Sequence, residues 1–296
     1  MPSLETPECV WPVQASLGEG PFWSATENAV WFVDIFGKQI HRFEPVAGTR
    51  QSWSAPAKVS FVLPEGQGNF LAGFPGAVAR FRPDTNEFQI LARLEEQHPR
   101  NRLNDACIDA GGRLWFGTMD EDAQRKSGAF YRWGGEPAPV QVDSGYCISN
   151  GPAFSPDGRT FYATDTLDRV IYRFAVTDGG RLHQKVPFIQ FELADGHPDG
   201  TTVDSEGCVW VAFYGGWAVR RYSPDGKLMR EVKFPCAHVT KVAFGGDGLK
   251  TAFVTTARDG LSSQEALEQP LAGGLFAFEA GVSGLPQAEG HCVAEK

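Results

Sequence analysis

A phrase of two short strands recurs six times along the 296-residue chain, and no other feature restricts the fold as strongly. The first copy is Trp31-Phe32-Val33-Asp34, followed by Lys38-Gln39-Ile40-His41-Arg42-Phe43. The others begin at Phe70, Leu114, Phe161, Val209 and Ala252, with second strands from Ala77, Gly128, Val170, Ala218 and Gly274. Successive copies start 39 to 48 residues apart, with a mean of about 44. That period is one four-stranded blade of a β-propeller. A helical repeat of similar length would show 3.6-residue periodicity and few prolines, and these segments show neither. The expectation is an all-β, six-bladed β-propeller that forms a single domain over residues 1–296, where length alone would suggest two. The strand around Cys9-Val10-Trp11 should pair into the last blade, closing the ring and covering a sheet edge. One short helix is expected, over residues 263–267, inside the insertion of the sixth repeat.

Composition agrees with this reading and narrows the partners. The 34 glycines and 20 prolines are scattered along the chain as turn formers rather than gathered into a linker. A net charge of −9 argues against nucleic acid, whose phosphates need a basic surface, and leaves a small molecule or a metal ion. Residues 1–13 carry Glu5, Glu8 and three prolines, with no basic or apolar stretch of a signal peptide. No run approaches the roughly 18 apolar residues of a membrane span. Six cysteines, Cys9, Cys107, Cys147, Cys208, Cys236 and Cys292, lie too far apart for a zinc ribbon or a small disulfide framework. A cytoplasmic protein with reduced, mostly buried thiols is expected, and with no apolar or charged run to mark a partner surface, a monomer.

Equivalent positions can be compared if the blades superpose. Ten to twelve residues before each phrase lies the strand that should line the central channel. At that register stand Glu19, Ser60, Asn104, Asn150, Asp199 and Thr240, and four of them are followed at once by Gly20, Asp105, Gly151 and Gly200. Five residues further on come Ser24, Glu65, Asp109, Ser155, Asp204 and Gly245, residues common in turns. Six polar residues should therefore converge at one mouth of the channel. Two carboxylates, from Glu19 and Asp199, and the amide oxygen of Asn150 suit one divalent, oxygen-seeking cation. Three protein ligands would leave positions open for water and substrate. The nucleophile elbow, the P-loop and the dinucleotide fingerprint are all absent, which disfavours serine hydrolysis, phosphoryl transfer and hydride chemistry.

The same residues carry a resemblance to a known family. Leu17-Gly18-Glu19-Gly20-Pro21, Arg102-Leu103-Asn104-Asp105, Gly112-Arg113-Leu114-Trp115-Phe116-Gly117-Thr118-Met119, Ser149-Asn150-Gly151-Pro152, Pro198-Asp199-Gly200, Thr256-Ala257-Arg258-Asp259-Gly260 and Pro270-Leu271-Ala272-Gly273-Gly274-Leu275-Phe276 occur in order across nearly the whole chain. The sequence thus resembles the SMP-30/gluconolactonase/regucalcin group of six-bladed sugar lactonases, and within it the bacterial aldonolactonases, including the xylonolactonases. The resemblance implies a central metal site in which one divalent ion is held by Glu19, Asn150 and Asp199. Calcium, zinc, manganese, magnesium and iron(II) all accept such ligands. It also implies hydroxyl contacts from Arg102 and Asn104 and an acidic substrate contact at Glu121 or Asp122, taken as Glu121. The implied reaction is hydrolysis of a pentono-1,4- or 1,5-lactone or of gluconolactone, with Asp199 or a metal-bound hydroxide as base. Two alternatives stand beside it: a calcium-binding regulatory propeller without turnover, and a phosphotriesterase-type hydrolase on the same fold.

Overall fold

Six four-stranded antiparallel sheets make up the computed structural model, which describes residues 6–177 and 179–291. Cys292 and the first five residues of the N-terminal segment lie outside the described residues. The recurring phrase supplies the second and third strands of each blade: Ala29–Asp34 with Gln39–Glu44 in the first, Val209–Tyr214 with Ala218–Tyr222 in the fifth. These strands alternate small, β-branched and aromatic residues, which fit a pleated surface buried on both faces. The innermost strands are Gly18–Ser24, Val62–Gly66, Asn101–Ile108, Ser149–Phe154, His197–Val203 and Val239–Gly245.

The last blade is composite, as expected. Glu8–Trp11 pairs antiparallel with Leu275–Glu279, Glu8 facing Ala277 and Cys9 facing Phe276, so the outermost strand of the sixth sheet comes from the other end of the chain. The expected helix runs one residue further than its sequence bounds, over Ser263–Glu268. Ser262 accepts from the Glu265 amide while the Glu265 carboxylate accepts from the Ser262 amide, a reciprocal cap that fixes its start. The five described cysteines are free, three of them buried.

Aromatic pairs glue neighbouring blades. Trp31 of the first blade lies 4.4 Å from Phe70 of the second, centroid to centroid, and Trp115 of the third 5.1 Å from Phe154 of the fourth. Trp23 stacks on Phe253 across the joint between the first and last blades at 5.6 Å. Each buried indole needs an acceptor for its N–H, and alternate blades supply one in the same way. Trp31, Trp115 and Trp210 donate to Glu27, Asp109 and Asp204 at 3.0, 2.9 and 2.8 Å. The same carboxylates accept from Arg42, Arg113 and Arg221, each at 2.7 Å.

Asp109 and Asp204, which read as turn residues, are therefore buried acceptors: Asp204 ties its turn to two strands, and Asp109 ties its turn to the strand that carries Trp115. Asp204 is fully buried and also accepts from the amides of Glu206 and Cys208. At the equivalent place in the fourth blade, Ser155 accepts only from the Thr160 amide and donates to Asp157. Asp204→Ala, which strips an acceptor from a guanidinium, an indole and two amides, should cost about 3 kcal/mol or more in urea unfolding. Ser155→Ala should cost about 1 kcal/mol, and equal losses would contradict the staple role of Asp204.

Candidate active site

The expected site residues sit where the inner strands are irregular. Pairing between first and second strands shifts register between Glu19 and Phe22, Leu103 and Ala106, Asn150 and Ala153, Pro198 and Thr201, and Val239 and Lys241. A β-bulge re-aims the side chain it contains, and here it frees Glu19, Asn104, Asn150 and Asp199 from strict alternation. Glycine makes two of the bulges possible: Gly20 and Gly151 have φ of 55° and 56°, a left-handed backbone that side chains with a Cβ rarely adopt. Gly200 serves close approach instead, because a Cβ there would lie 2.4 Å from Cγ of Lys241.

Four of the six registered residues come together, and two do not. Asn104 donates from Nδ2 to Oδ1 of Asn150 at 2.8 Å and to the Ser149 carbonyl at 2.9 Å. Its own Oδ1 accepts from Nη1 of Arg102 at 2.6 Å. Asn150 in turn donates to Oγ1 of Thr166 at 2.9 Å, which fixes its amide and leaves Oδ1 a free lone pair. Glu19 and Asp199 interact electrostatically with each other, with Asp105, with Lys241 and with Arg102. Ser60 lies just before its strand and donates to the Gly73 carbonyl, and Thr240 donates to the Gly18 carbonyl at 2.6 Å. Those two hydroxyls join strands rather than face the channel, so the polar ring has four members, not six.

The electrostatics are those of a site short of positive charge. Glu19 and Asp199 are only 7% and 6% exposed. Burial first, then the Asp105 carboxylate, pushes Glu19 up to about 7, against a 2.8 Å hydrogen bond from the Gly20 amide and the more distant Lys241 and Arg102. Burial, then Glu19 and Asp105, raises Asp199 well above the usual carboxylate range. Two buried carboxylates facing each other beside a neutral amide oxygen fit a divalent, oxygen-seeking cation, which would cancel their repulsion. Among the described residues, no cluster of three or more His, Cys, Asp and Glu side chains could hold a metal, so an ion beside Glu19 and Asp199 would have to draw on neutral oxygens such as the Asn150 amide.

Arg102 is buried at 6% exposure beside this group, and its Nε has no hydrogen-bond partner. Burial draws its guanidinium downward, opposed by Glu121, Glu19 and Asp199. Glu121, half-buried at the end of the neighbouring strand, lies 3.8 Å from that Nε and pairs with Lys58. Asp122 pairs instead with the exposed Arg100.

Two residues of the site escaped the sequence reading. Asp105 and Lys241 form a buried ion pair between the third and sixth blades, which face each other across the ring. The signal was present: Lys241 follows Thr240 as Asp105 follows Asn104, in the same register. Lys241 also borders a cavity of about 330 Å³ lined by Phe22, Leu63, Ala153, Val203 and residues 285–288, which none of the expected site residues touches.

A buried carboxyl whose folded pKa lies above its unfolded value contributes most below the unfolded value, and the contribution is lost as pH rises through the folded one. Metal-free protein should therefore lose stability relative to Glu19→Gln between about pH 4.5 and 7. The gap should reach roughly 2–3 kcal/mol in chelator-containing buffer. Thermal unfolding of both proteins across that range checks this, and a gap that stays flat with pH would contradict it.

Comparison with known proteins places the chain. Residues 17–258 match the family model described as SMP-30/Gluconolactonase/LRE-like region. A 6-deoxy-6-sulfogluconolactonase from Pseudomonas putida is 32% identical over 95% of this chain and 97% of its own. Regucalcin from Gallus gallus is 32% identical over 94% of this chain and 96% of its own. The crystal structure of a calcium-binding protein, regucalcin, from Agrobacterium tumefaciens superposes with a TM-score of 0.91 at 25% identity, covering 99% of this chain and all of that one. With a ring of six blades, bulged polar residues at its axis and full-length matches of this kind, the chain belongs to the SMP-30/gluconolactonase/LRE-like family.

Proposed function

We propose that the protein hydrolyses a sugar lactone, an aldono-1,4- or 1,5-lactone, to the open-chain aldonic acid, using a divalent cation held by Glu19, Asn150 and Asp199. The observation that carries this reading is the buried Glu19–Asp199 pair, raised in pKa and set beside an amide oxygen and an unspent guanidinium N–H. The sulfogluconolactonase relative, aligned over nearly its full length, supports a lactone substrate. The calcium-binding structural relative supports a divalent ion. Free thiols fit a reducing, cytoplasmic setting.

A cation bound there supplies Lewis-acid polarisation of the lactone carbonyl. The chain's own residues do the rest. Asp199, buried at the axis beside the proposed cation, accepts the proton of the attacking water. Arg102 offers its unpartnered Nε to a ring oxygen, and Glu121 accepts from a hydroxyl at the mouth. Asn104 acts differently from a simple hydroxyl donor: both Nδ2 hydrogens are spent on Ser149 and Asn150. It can meet substrate only as an acceptor, through the second lone pair of Oδ1, and its larger task is to hold the Asn150 amide in place.

A panel of aldonolactones assayed with stripped and metal-restored protein tests the proposal. Stripping should abolish turnover, and restoring one divalent ion should return it. Asp199→Asn should lower kcat at least about 100-fold while the circular dichroism spectrum is unchanged. Arg102→Leu should raise KM by about tenfold or more, as expected for a lost charge-assisted hydrogen bond. A metal titration that saturates without turnover of any lactone would favour a calcium-binding role like that named for the structural relative.

A further inference from the structure

The buried Asp105–Lys241 pair touches the backbone beside three of the residues assigned to the metal and substrate. Asp105 is the immediate neighbour of Asn104 and accepts from the Gly151 amide at 3.0 Å, one residue past Asn150. Lys241 lays its Cβ and Cγ where a side chain on Gly200, one residue past Asp199, would have to stand. Its ammonium reaches Oδ1 of Asp105 and, at 3.3 Å, the Ala106 carbonyl. The side chains are 8% and 2% exposed. One ion pair therefore ties bulges on the third, fourth and fifth blades to the sixth. Thr240, next to Lys241, adds the first blade through its bond to the Gly18 carbonyl, next to Glu19.

We propose that Asp105 and Lys241 are positioning residues, a brace across the channel that holds the bulges carrying Asn104, Asn150 and Asp199 at the spacing a divalent cation requires. The proposal rests on the metal reading of the site. A buried pair of this kind adds little net stability compared with an apolar pair of the same volume, so its place on the channel axis calls for a positional role. Partners that orient ligands from behind typically change metal affinity by about 10–100-fold.

The sign of the effect separates a brace from simple electrostatics. Removing the positive charge of Lys241 near Glu19 and Asp199 would, by Coulomb attraction alone, tighten cation binding. Loss of the brace weakens it. Chelator-stripped wild type, Lys241→Met and the charge-neutral double variant Asp105→Leu/Lys241→Met are titrated with Mn2+ by calorimetry, with thermal unfolding measured alongside. Lys241→Met should bind Mn2+ at least about tenfold more weakly. The double variant should recover most of the lost thermal stability yet still bind at least about tenfold more weakly. Wild-type affinity in the folded double variant, or tighter binding by Lys241→Met, overturns the brace. If the double variant does not fold, Lys241→Gln decides the matter: weaker Mn2+ binding, opposite to the Coulombic expectation, upholds the brace, and unchanged or tighter binding overturns it. A wild type that binds no Mn2+ removes the metal reading and the brace together, whereas failure of the variants alone leaves the metal reading intact.

Discussion

The antiparallel pairing of Glu8–Trp11 with Leu275–Glu279 makes a ring out of what would otherwise be an open row of sheets. Without it, the last sheet would end in an unpaired edge and the first and last blades would have no shared strand to hold them in contact. With it, the stack of Trp23 on Phe253 closes the seam, and six inner strands are forced to approach one axis. A channel is the geometric result of that approach. Whatever points into it is buried by the ring as a whole, not by the blade that carries it.

Burial at the axis explains the chemistry of the site. Inner strands that alternated strictly would send apolar groups and carboxylates alike into a narrow, poorly solvated space. The bulges at Glu19, Asn104, Asn150 and Asp199 collect the polar groups at one level. Arg102, Asn104, Asn150 and Thr166 form a continuous run of hydrogen bonds, so the orientation of one amide oxygen depends on side chains from two blades. Glu19 and Asp199 lie outside that run, and burial beside other carboxylates raises their proton affinity.

The blade count and the site register were legible because both repeat along the sequence. Trp31, Trp115 and Trp210 recur in phase with the strands that contain them, and polar residues recur eleven or twelve positions before them. The register marked the places of Lys241 and Asp105 but not that they pair with each other. Lys241 and Asp105 are 136 positions apart, and only closure of the ring makes the third and sixth blades face each other. Ser60 misled for the opposite reason: it holds the right place in the count, but the second blade has no bulge there, and its hydroxyl is spent on the Gly73 carbonyl. Asp109 and Asp204 looked like turn residues because they stand in turns, and their turn setting does not show that each carboxylate is shared by a tryptophan and an arginine.

Because the bulges that gather the polar groups belong to different blades, the chemistry is a property of the assembled circle. No single blade holds even one complete pair of facing carboxylates: Glu19 enters from the first and Asp199 from the fifth. The proposed catalytic centre, divided in this way, has no local version of itself. It is created at the moment the last seam closes and dissolves when any seam opens, so activity in such a molecule reports on the integrity of the whole circle as faithfully as any spectroscopic probe of its fold.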